Sequence, residues 1–305
     1  MNKVSVIGAG NVGATIAYIA ASKGLGKIIL YDIVDGMPQG KGLDMNESSP
    51  IENFDSIVTG TNNIEDIKGS DLIAITAGLA RKPGMSREDL QKKNADIIKG
   101  IAENIKKYAP NAIVIMVTNP VDVMSYHVWK ITGFPKERVM GQAGVLDSAR
   151  LKFFIAEELG VSIEDISLVM LGGHGDSMVP LMEYATVSGI PISKLIDKDK
   201  IDAMVQRARK GGAEIVALLK TGSAFYAPAQ ATVEMMESIL NNRKRVLPTS
   251  VYLDGQYGIN GVFIGIPVVL GRNGIEKIFE IELDDNSLKS LQASADIYKK
   301  QIELL

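Results

Sequence analysis

The chain has no cysteine, which excludes disulfides, thiolate catalysis and cysteine-ligated metals. It has two histidines, His127 and His174, far apart in sequence, so a histidine-rich metal site has no basis and no metal is predicted. Lys and Arg total 33 against 36 for Asp and Glu, and the densest basic tract is the short Arg243-Lys244-Arg245. Nothing here suits a nucleic-acid backbone. No apolar run reaches the roughly 18 residues of a membrane span. The start, Met1-Asn2-Lys3 and then an apolar run, lacks the pattern of a signal peptide. Repeats, low-complexity tracts and long linkers are missing too. These absences predict a cytoplasmic protein with neither a nucleic-acid nor a membrane partner.

What is present is an ordinary globular composition, 46% hydrophobic and 23% charged over 305 residues, enough for two domains or one large one. Val4 to Ile7 reads as a buried strand, followed at once by Gly8-Ala9-Gly10-Asn11-Val12-Gly13 and a helix from Ala14 to Lys23. In that strand–loop–helix setting Gly8 permits a tight turn, Gly10 lets the backbone approach a pyrophosphate, and Gly13 lets helix and strand pack closely. A second strand, Lys27 to Tyr31, ends at Asp32, nineteen residues after Gly13. An acid there accepts hydrogen bonds from both ribose hydroxyls and repels a 2′-phosphate, which favours NAD over NADP. Its structural alternatives are a helix N-cap and a solvated strand end.

Strands continue to alternate with helices: Ser56–Gly60, Asp71–Gly78, the helix Arg87–Tyr108, Ala112–Thr118, the helix Asp122–Thr132 and Arg138–Gly141. This order predicts a Rossmann doubly wound parallel sheet over residues 1–142, followed by an α+β substrate and catalytic domain over 143–305. Ligands on such sheets bind at the carboxyl ends of the strands, so the residues after Ile7, Tyr31, Thr76 and Val117 are expected to converge on one crevice. Arg81 and Arg87 flank the turn Pro83-Gly84, with Ser86 a candidate cap for the following helix. Asn119 before Pro120 is held out of the helical region and is either a plain turn residue or a polar amide in the crevice. Asp147 and Arg150 share one face of a helix predicted over 146–159. Apolar neighbours, Phe153 and Phe154 among them, argue that this pair is buried and needs partners.

In the second half, Ile166 to Leu171 reads as a strand leading into Gly172-Gly173-His174-Gly175-Asp176. Glycines on both sides leave the imidazole open to approach, and histidine suits proton transfer near neutrality. A helix is expected over 200–219, interrupted at Gly211-Gly212, and another over 228–240. Antiparallel strands are expected over 246–266 and 267–270, with turns at Asp254-Gly255 and Asn260-Gly261, and a final helix capped by Asp285 or Asn286. His127, inside an apolar helix, reads as packed, and the Met235-Met236 pair reads as core.

Taken in order, the glycine fingerprint, Asp32, Ala80-Arg81-Lys82-Pro83-Gly84-Met85-Ser86-Arg87, Thr118-Asn119-Pro120, Leu146-Asp147-Ser148-Ala149-Arg150 and Gly172-Gly173-His174-Gly175-Asp176 resemble the lactate/malate dehydrogenase family. Within it they resemble most the lactate-dehydrogenase-like malate enzymes. The resemblance runs from about residue 3 to the C-terminus. It implies an NAD-dependent oxidoreductase acting on a 2-hydroxy acid, in a step of the tricarboxylic acid cycle. His174 is then the acid/base, Asp147 its orienting partner, Arg150 the clamp on the carboxylate beside the reacting carbon, and Arg87 a lid arginine that polarises the ketone. Asn119 donates near the reacting oxygen, and Ser223 matches a pocket-wall position. Gly8, Gly10, Asn11, Val12, Gly13, Asp32, Thr76, Ala77, Gly78, Asn94, Val117 and Asn119 are implied along the cofactor.

Arg81 separates two substrates. The family's lactate enzymes usually carry glutamine there, whereas an arginine can pair with a second carboxylate. Facing a methyl group it would lie unpaired, a penalty of about 3–5 kcal/mol. Gly173 agrees, since lactate enzymes of the family tend to have glutamate before the histidine. Malate and oxaloacetate are therefore the expected pair, with lactate the rival preference and a catalytically silent NAD-binding sensor the rival from another class. The resemblance also implies a homo-oligomer, a tetramer ahead of a dimer.

Overall fold

The computed structural model describes residues 1–79 and 87–305, with Arg87 described by its backbone alone. The first half alternates as its composition dictates. β1 (Lys3–Ile7), α1 (Asn11–Ser22), β2 (Lys27–Tyr31), α2 (Met37–Glu52), β3 (Val58–Thr61) and β4 (Leu72–Ile75) come first. α3 (Arg87–Tyr108), β5 (Ile113–Met116), α4 (Val121–Thr132) and β6 (Val139–Gly141) follow. β1, β4 and β5 are short runs of mostly aliphatic residues buried on both faces, the mark of a strand covered by helices above and below. These six strands lie parallel in the order β3-β2-β1-β4-β5-β6. The order reverses between β1 and β4, so their carboxyl ends open a crevice, the place where doubly wound sheets bind nucleotides.

The second half begins with α5 (Gly144–Leu159) and the short strands β7 (Ile166–Ser167), β8 (Met170–Leu171), β9 (Val179–Pro180), β10 (Thr186–Val187) and β11 (Ile190–Pro191). α6 (Lys198–Leu219), α7 (Tyr226–Leu240), β12 (Arg245–Asp254), β13 (Asn260–Gly271), β14 (Gly274–Ile278) and α8 (Asp285–Ile302) complete it. β12, β13 and β14 pair antiparallel and join the parallel sheet through Ser250 opposite Gly141. Among the described residues one nine-stranded sheet therefore runs through both halves. A second, smaller apolar cluster under α5 and α6 includes Leu151, Ile155, Met170 and Met178.

Several elements differ from the expectations. α2 has no counterpart among the expected elements. α6 runs unbroken past Gly211-Gly212, and β13 passes through Pro267 instead of ending there. The strand expected to lead into His174 is two short pieces, β7 and β8. The last helix is capped by Asp284, whose carboxylate accepts the N–H groups of Asn286 and Ser287. Phe153, expected to help bury α5, is 55% exposed.

Candidate active site

The glycine loop joins β1 to α1. Gly8 has φ +108°, a conformation other residues rarely adopt. A Cβ on Gly13 would drive into the Gly8 carbonyl, whereas one on Gly10 would meet nothing within 4 Å. The backbone at Gly10 thus faces open space at the first turn of α1, whose N-cap, Gly10, brings no side-chain hydrogen bond of its own. Free N–H groups at such a terminus suit phosphates. A cleft of about 500 Å³ lies beside it, lined by Gly8, Gly10, Asp32, Thr76, Ala77 and Gly78 among others. A larger cavity, about 770 Å³, opens at the other ends of the strands beside Asp71, Arg138 and Arg272, and among the described residues none of the predicted site residues lines it.

Asp32 ends β2 at that cleft. One of its oxygens accepts the Ala9 N–H at 2.6 Å and the other accepts the Val34 N–H at 3.0 Å. A carboxylate has lone pairs beyond these two for further donors. Lys41, from the unforeseen α2, donates to the Ala9 carbonyl at 2.7 Å and steadies the same loop. Asn94 is buried and engaged: its oxygen accepts the Leu79 N–H at 2.8 Å, and its amide donates to the Asn119 carbonyl at 2.9 Å. It ties the end of β4 to the loop after β5. Val117 continues β5, its N–H donating to the Ile75 carbonyl.

Asn119-Pro120 is a cis peptide leading directly into α4. Asp122, in the first turn of α4, is wholly buried. Its Oδ2 accepts the backbone N–H of His174 at 3.0 Å, and its Oδ1 accepts the Ser250 hydroxyl at 2.6 Å. The start of α4, the loop after β8 and β12 are therefore fastened together.

His174 meets Asp147 as the sequence suggested. Its Nδ1 lies 2.9 Å from Asp147 Oδ2, and Asp147 is 2% exposed. A carboxylate only accepts, so Nδ1 carries the proton and Nε2 is left to exchange one. Burial alone would lower the His174 pKa. The charge and hydrogen bond of Asp147, with help from Asp122, outweigh burial and the opposing Arg150, so it ends raised. Arg150 approaches the other oxygen of Asp147 at 3.4 Å, and among the described residues its buried Nε has no hydrogen-bond partner. Burial disfavours the Arg150 charge and Asp147 favours it.

Two features give this cluster its room. Gly211 and Gly212 on α6 lie against Arg150: a Cβ on Gly211 would fall 3.1 Å from Arg150 Cδ and 3.3 Å from Nε. Tyr298 on α8 lies over Gly173 and donates from its hydroxyl to the His174 carbonyl at 3.2 Å. Ser294, one turn earlier, accepts the Gly173 N–H at 3.0 Å. Asp122, Ser250, Ser294, Tyr298 and Lys41 escaped the sequence reading. The one available signal was an acid at position 122 between two valines. Ser223 lies exposed between α6 and α7. Arg81 and the Arg87 side chain lie outside the described residues. His127 is packed, its Nε2 3.1 Å from the Ala95 carbonyl, and burial lowers its pKa. Among the described residues no group of three His, Asp or Glu is placed to hold a metal ion, and no helix is long and apolar enough to cross a membrane.

Comparison with known proteins agrees along the whole chain. Residues 2–141 match the NAD-binding domain of lactate/malate dehydrogenases, and residues 144–305 match their α/β C-terminal domain. The malate dehydrogenase of Chloroherpeton thalassium is 56% identical over 302 residues, covering 99% of this chain and 97% of that protein. The apo malate dehydrogenase of Picrophilus torridus superposes with a TM-score of 0.97 at 47% identity, covering 99% and 97% of the two chains. A lactate dehydrogenase of Cryptosporidium parvum, solved with lactic acid and nicotinamide adenine dinucleotide, superposes with a TM-score of 0.96 at 42% identity, covering 99% and 97%. The chain belongs to the lactate/malate dehydrogenase family.

Proposed function

We propose that this chain is a malate dehydrogenase that interconverts (S)-malate and oxaloacetate with NAD(H). The observation that carries the chemistry is the buried Asp147 carboxylate shared between His174 Nδ1 and the Arg150 guanidinium. Residues 1–142 hold the cofactor and residues 143–305 supply the acid/base and the substrate clamp. The cleft fits a dinucleotide: open backbone at Gly10, a free helix terminus, an acid at the end of β2 and a floor of Thr76, Ala77 and Gly78. Gly8, Gly10, Asn11, Val12 and Gly13 face the phosphates, and Asp32 the adenosine ribose. When bound, the reduced nicotinamide supplies a hydride to the carbonyl carbon, and in the reverse direction its oxidised form accepts one.

Arg150, held between Asp147 and the glycines of α6, pairs its guanidinium with the carboxylate beside the reacting carbon. Imidazolium at His174 gives its Nε2 proton to the carbonyl oxygen as that oxygen gains charge. Asp147 keeps the imidazolium charged and fixes its tautomer. Malate oxidation runs the same transfer backwards and requires neutral His174. Arg81 is assigned to the second carboxylate, Arg87 and Asn119 to the reacting oxygen, and Ser223 to the pocket wall. The preference for a diacid rests on Arg81 and on the curated relatives. Steady-state turnover with NADH tests it: kcat/KM for oxaloacetate is expected to exceed that for pyruvate by at least about 10²-fold, the order that an unpaired buried arginine implies. A preference for pyruvate would make the chain a lactate dehydrogenase, and no turnover of either would favour a silent NAD-binding protein.

We further propose a cytoplasmic homo-oligomer, a tetramer ahead of a dimer. Phe153, Leu218 and Tyr226 on or beside α5, α6 and α7 are large, apolar and more than half exposed, which suits helical faces that meet another copy.

A further inference from the structure

Asp122 is a carboxylate that the proposed reaction leaves without a task. It is wholly buried, which is unfavourable for an acid unless partners hold it there. Those partners come from separate parts of the chain. The His174 loop brings its backbone N–H, at 3.0 Å, and the imidazole itself. β12 brings the Ser250 hydroxyl, at 2.6 Å. Against them, α5 brings Asp147, whose like charge disfavours ionised Asp122, with Arg150 standing beyond it. α8 brings Tyr298, which holds the His174 carbonyl and feels Asp122, Asp147 and Asp176.

We infer that Asp122 is a second carboxylate serving His174, a positioning residue that holds the histidine's backbone and keeps negative charge beside its imidazolium. The hydrogen bonds by themselves do not require an acid. An asparagine there would accept from the His174 N–H through its oxygen and donate to Ser250 through its amide. What only the acid adds is charge. Burial pushes the Asp122 carboxyl up to about 6, against the pull of Ser250 and of the His174 N–H and charge, so it is ionised at neutral pH. That charge acts on the imidazole in the same direction as Asp147. The inference rests on His174 being the acid/base.

The test is the pH profile of kcat/KM in Asp122→Asn and Ser250→Ala, for oxaloacetate with NADH and for malate with NAD. In Asp122→Asn both midpoints are expected to move to lower pH by about one unit, a tenfold change in the protonation equilibrium. NADH affinity should stay within about twofold, since uniform binding of the cofactor is untouched. Ser250→Ala removes a donor that favours the ionised carboxyl and should shift the midpoints the same way by less. Should Asp122→Asn fail to fold, Ser250→Ala decides. Unmoved midpoints, whatever happens to the plateau rates, would leave Asp122 a purely structural group and overturn the inference. His174→Asn separates this failure from that of the underlying reading: an inactive His174→Asn with unmoved Asp122→Asn midpoints sinks the role of Asp122 alone, while an active one sinks both.

Discussion

The ring of Tyr298 occupies the space that any side chain at position 173 would need: a Cβ there would overlap Cε2 and Cζ of the ring. The absence of a side chain before His174 is thus tied to a residue on the C-terminal helix more than a hundred positions away. Gly173→Ala is expected to displace the ring, break its hydrogen bond to the His174 carbonyl, lower kcat and destabilise the fold by about 1–3 kcal/mol, as overpacked sites do. Adding Tyr298→Ala should relieve the overlap, so the double variant loses less stability than the two single losses summed. Thermal melts of the four proteins check this, and simple additivity would show that ring and glycine are not coupled.

Gly211 has the same relation to Arg150. Gly211→Ala improves helix propensity by about 1 kcal/mol, yet places a methyl 3.1 Å from Arg150 Cδ. KM for the substrate should rise about tenfold, with NADH affinity unchanged and the melting midpoint no lower. An unaltered KM would mean that the guanidinium does not depend on that space.

The pKa of His174 is raised in the folded protein, chiefly by Asp147 against the effect of burial. Its contribution to stability is therefore full below the unfolded value near 6.5 and is lost as pH rises through the folded value. Catalysis follows the same titration. Oxaloacetate reduction needs the imidazolium and should hold through neutrality and fall on the alkaline side, while malate oxidation rises there. Asp147→Asn should bring both midpoints down and slow both directions by roughly 10²–10⁴-fold, the usual worth of a positioned acid/base. Midpoints that stay put in this variant would remove Asp147 from its assigned role.

Much of this was legible in the sequence, and what was not has identifiable causes. The strand, glycine loop and helix at 3–22 could be read because each signal is local and they agree. α2 could not, because Gly40, Gly42, Ser48, Ser49 and Pro50 all argue against a helix. Packing overrides propensity there: a Cβ on Gly42 would press on the Gly60 backbone, and Lys41 reaches back to Ala9. The glycine pair in α6 looked like a break for the same reason, yet the space it leaves is filled by Arg150. Pro267 looked like a strand end, but it pairs with Pro248 and the neighbouring residues carry the ladder. Asp147 and His174 are 27 positions apart and Asp122 and His174 are 52 apart. Such pairs are made by the sheet, and no local pattern announces them.

Asp122 also makes a prediction about stability. Its pKa rises from 3.8 to about 6 on folding, so the folded state takes up its proton more readily than the unfolded one. Burial of the anion weakens the fold at pH above 6 by about 3 kcal/mol, and the penalty fades as pH falls from 6 toward 3.8. Asp122→Asn, which keeps both hydrogen bonds, should be more stable than the parent at pH 8 by roughly 1–3 kcal/mol and lose that advantage near pH 4. Denaturant titrations at the two pH values decide it, and a variant less stable at pH 8 would contradict the buried-anion account.

The most direct measurement is of His174→Asn, assayed for NADH binding by fluorescence and for turnover of oxaloacetate and malate. NADH should bind with nearly parental affinity, because the cofactor cleft lies between β1, β2 and β4, while turnover in both directions should disappear. Turnover persisting near the parental rate would show that the proton comes from another group and that the Asp147–His174 pair is not the centre of the chemistry.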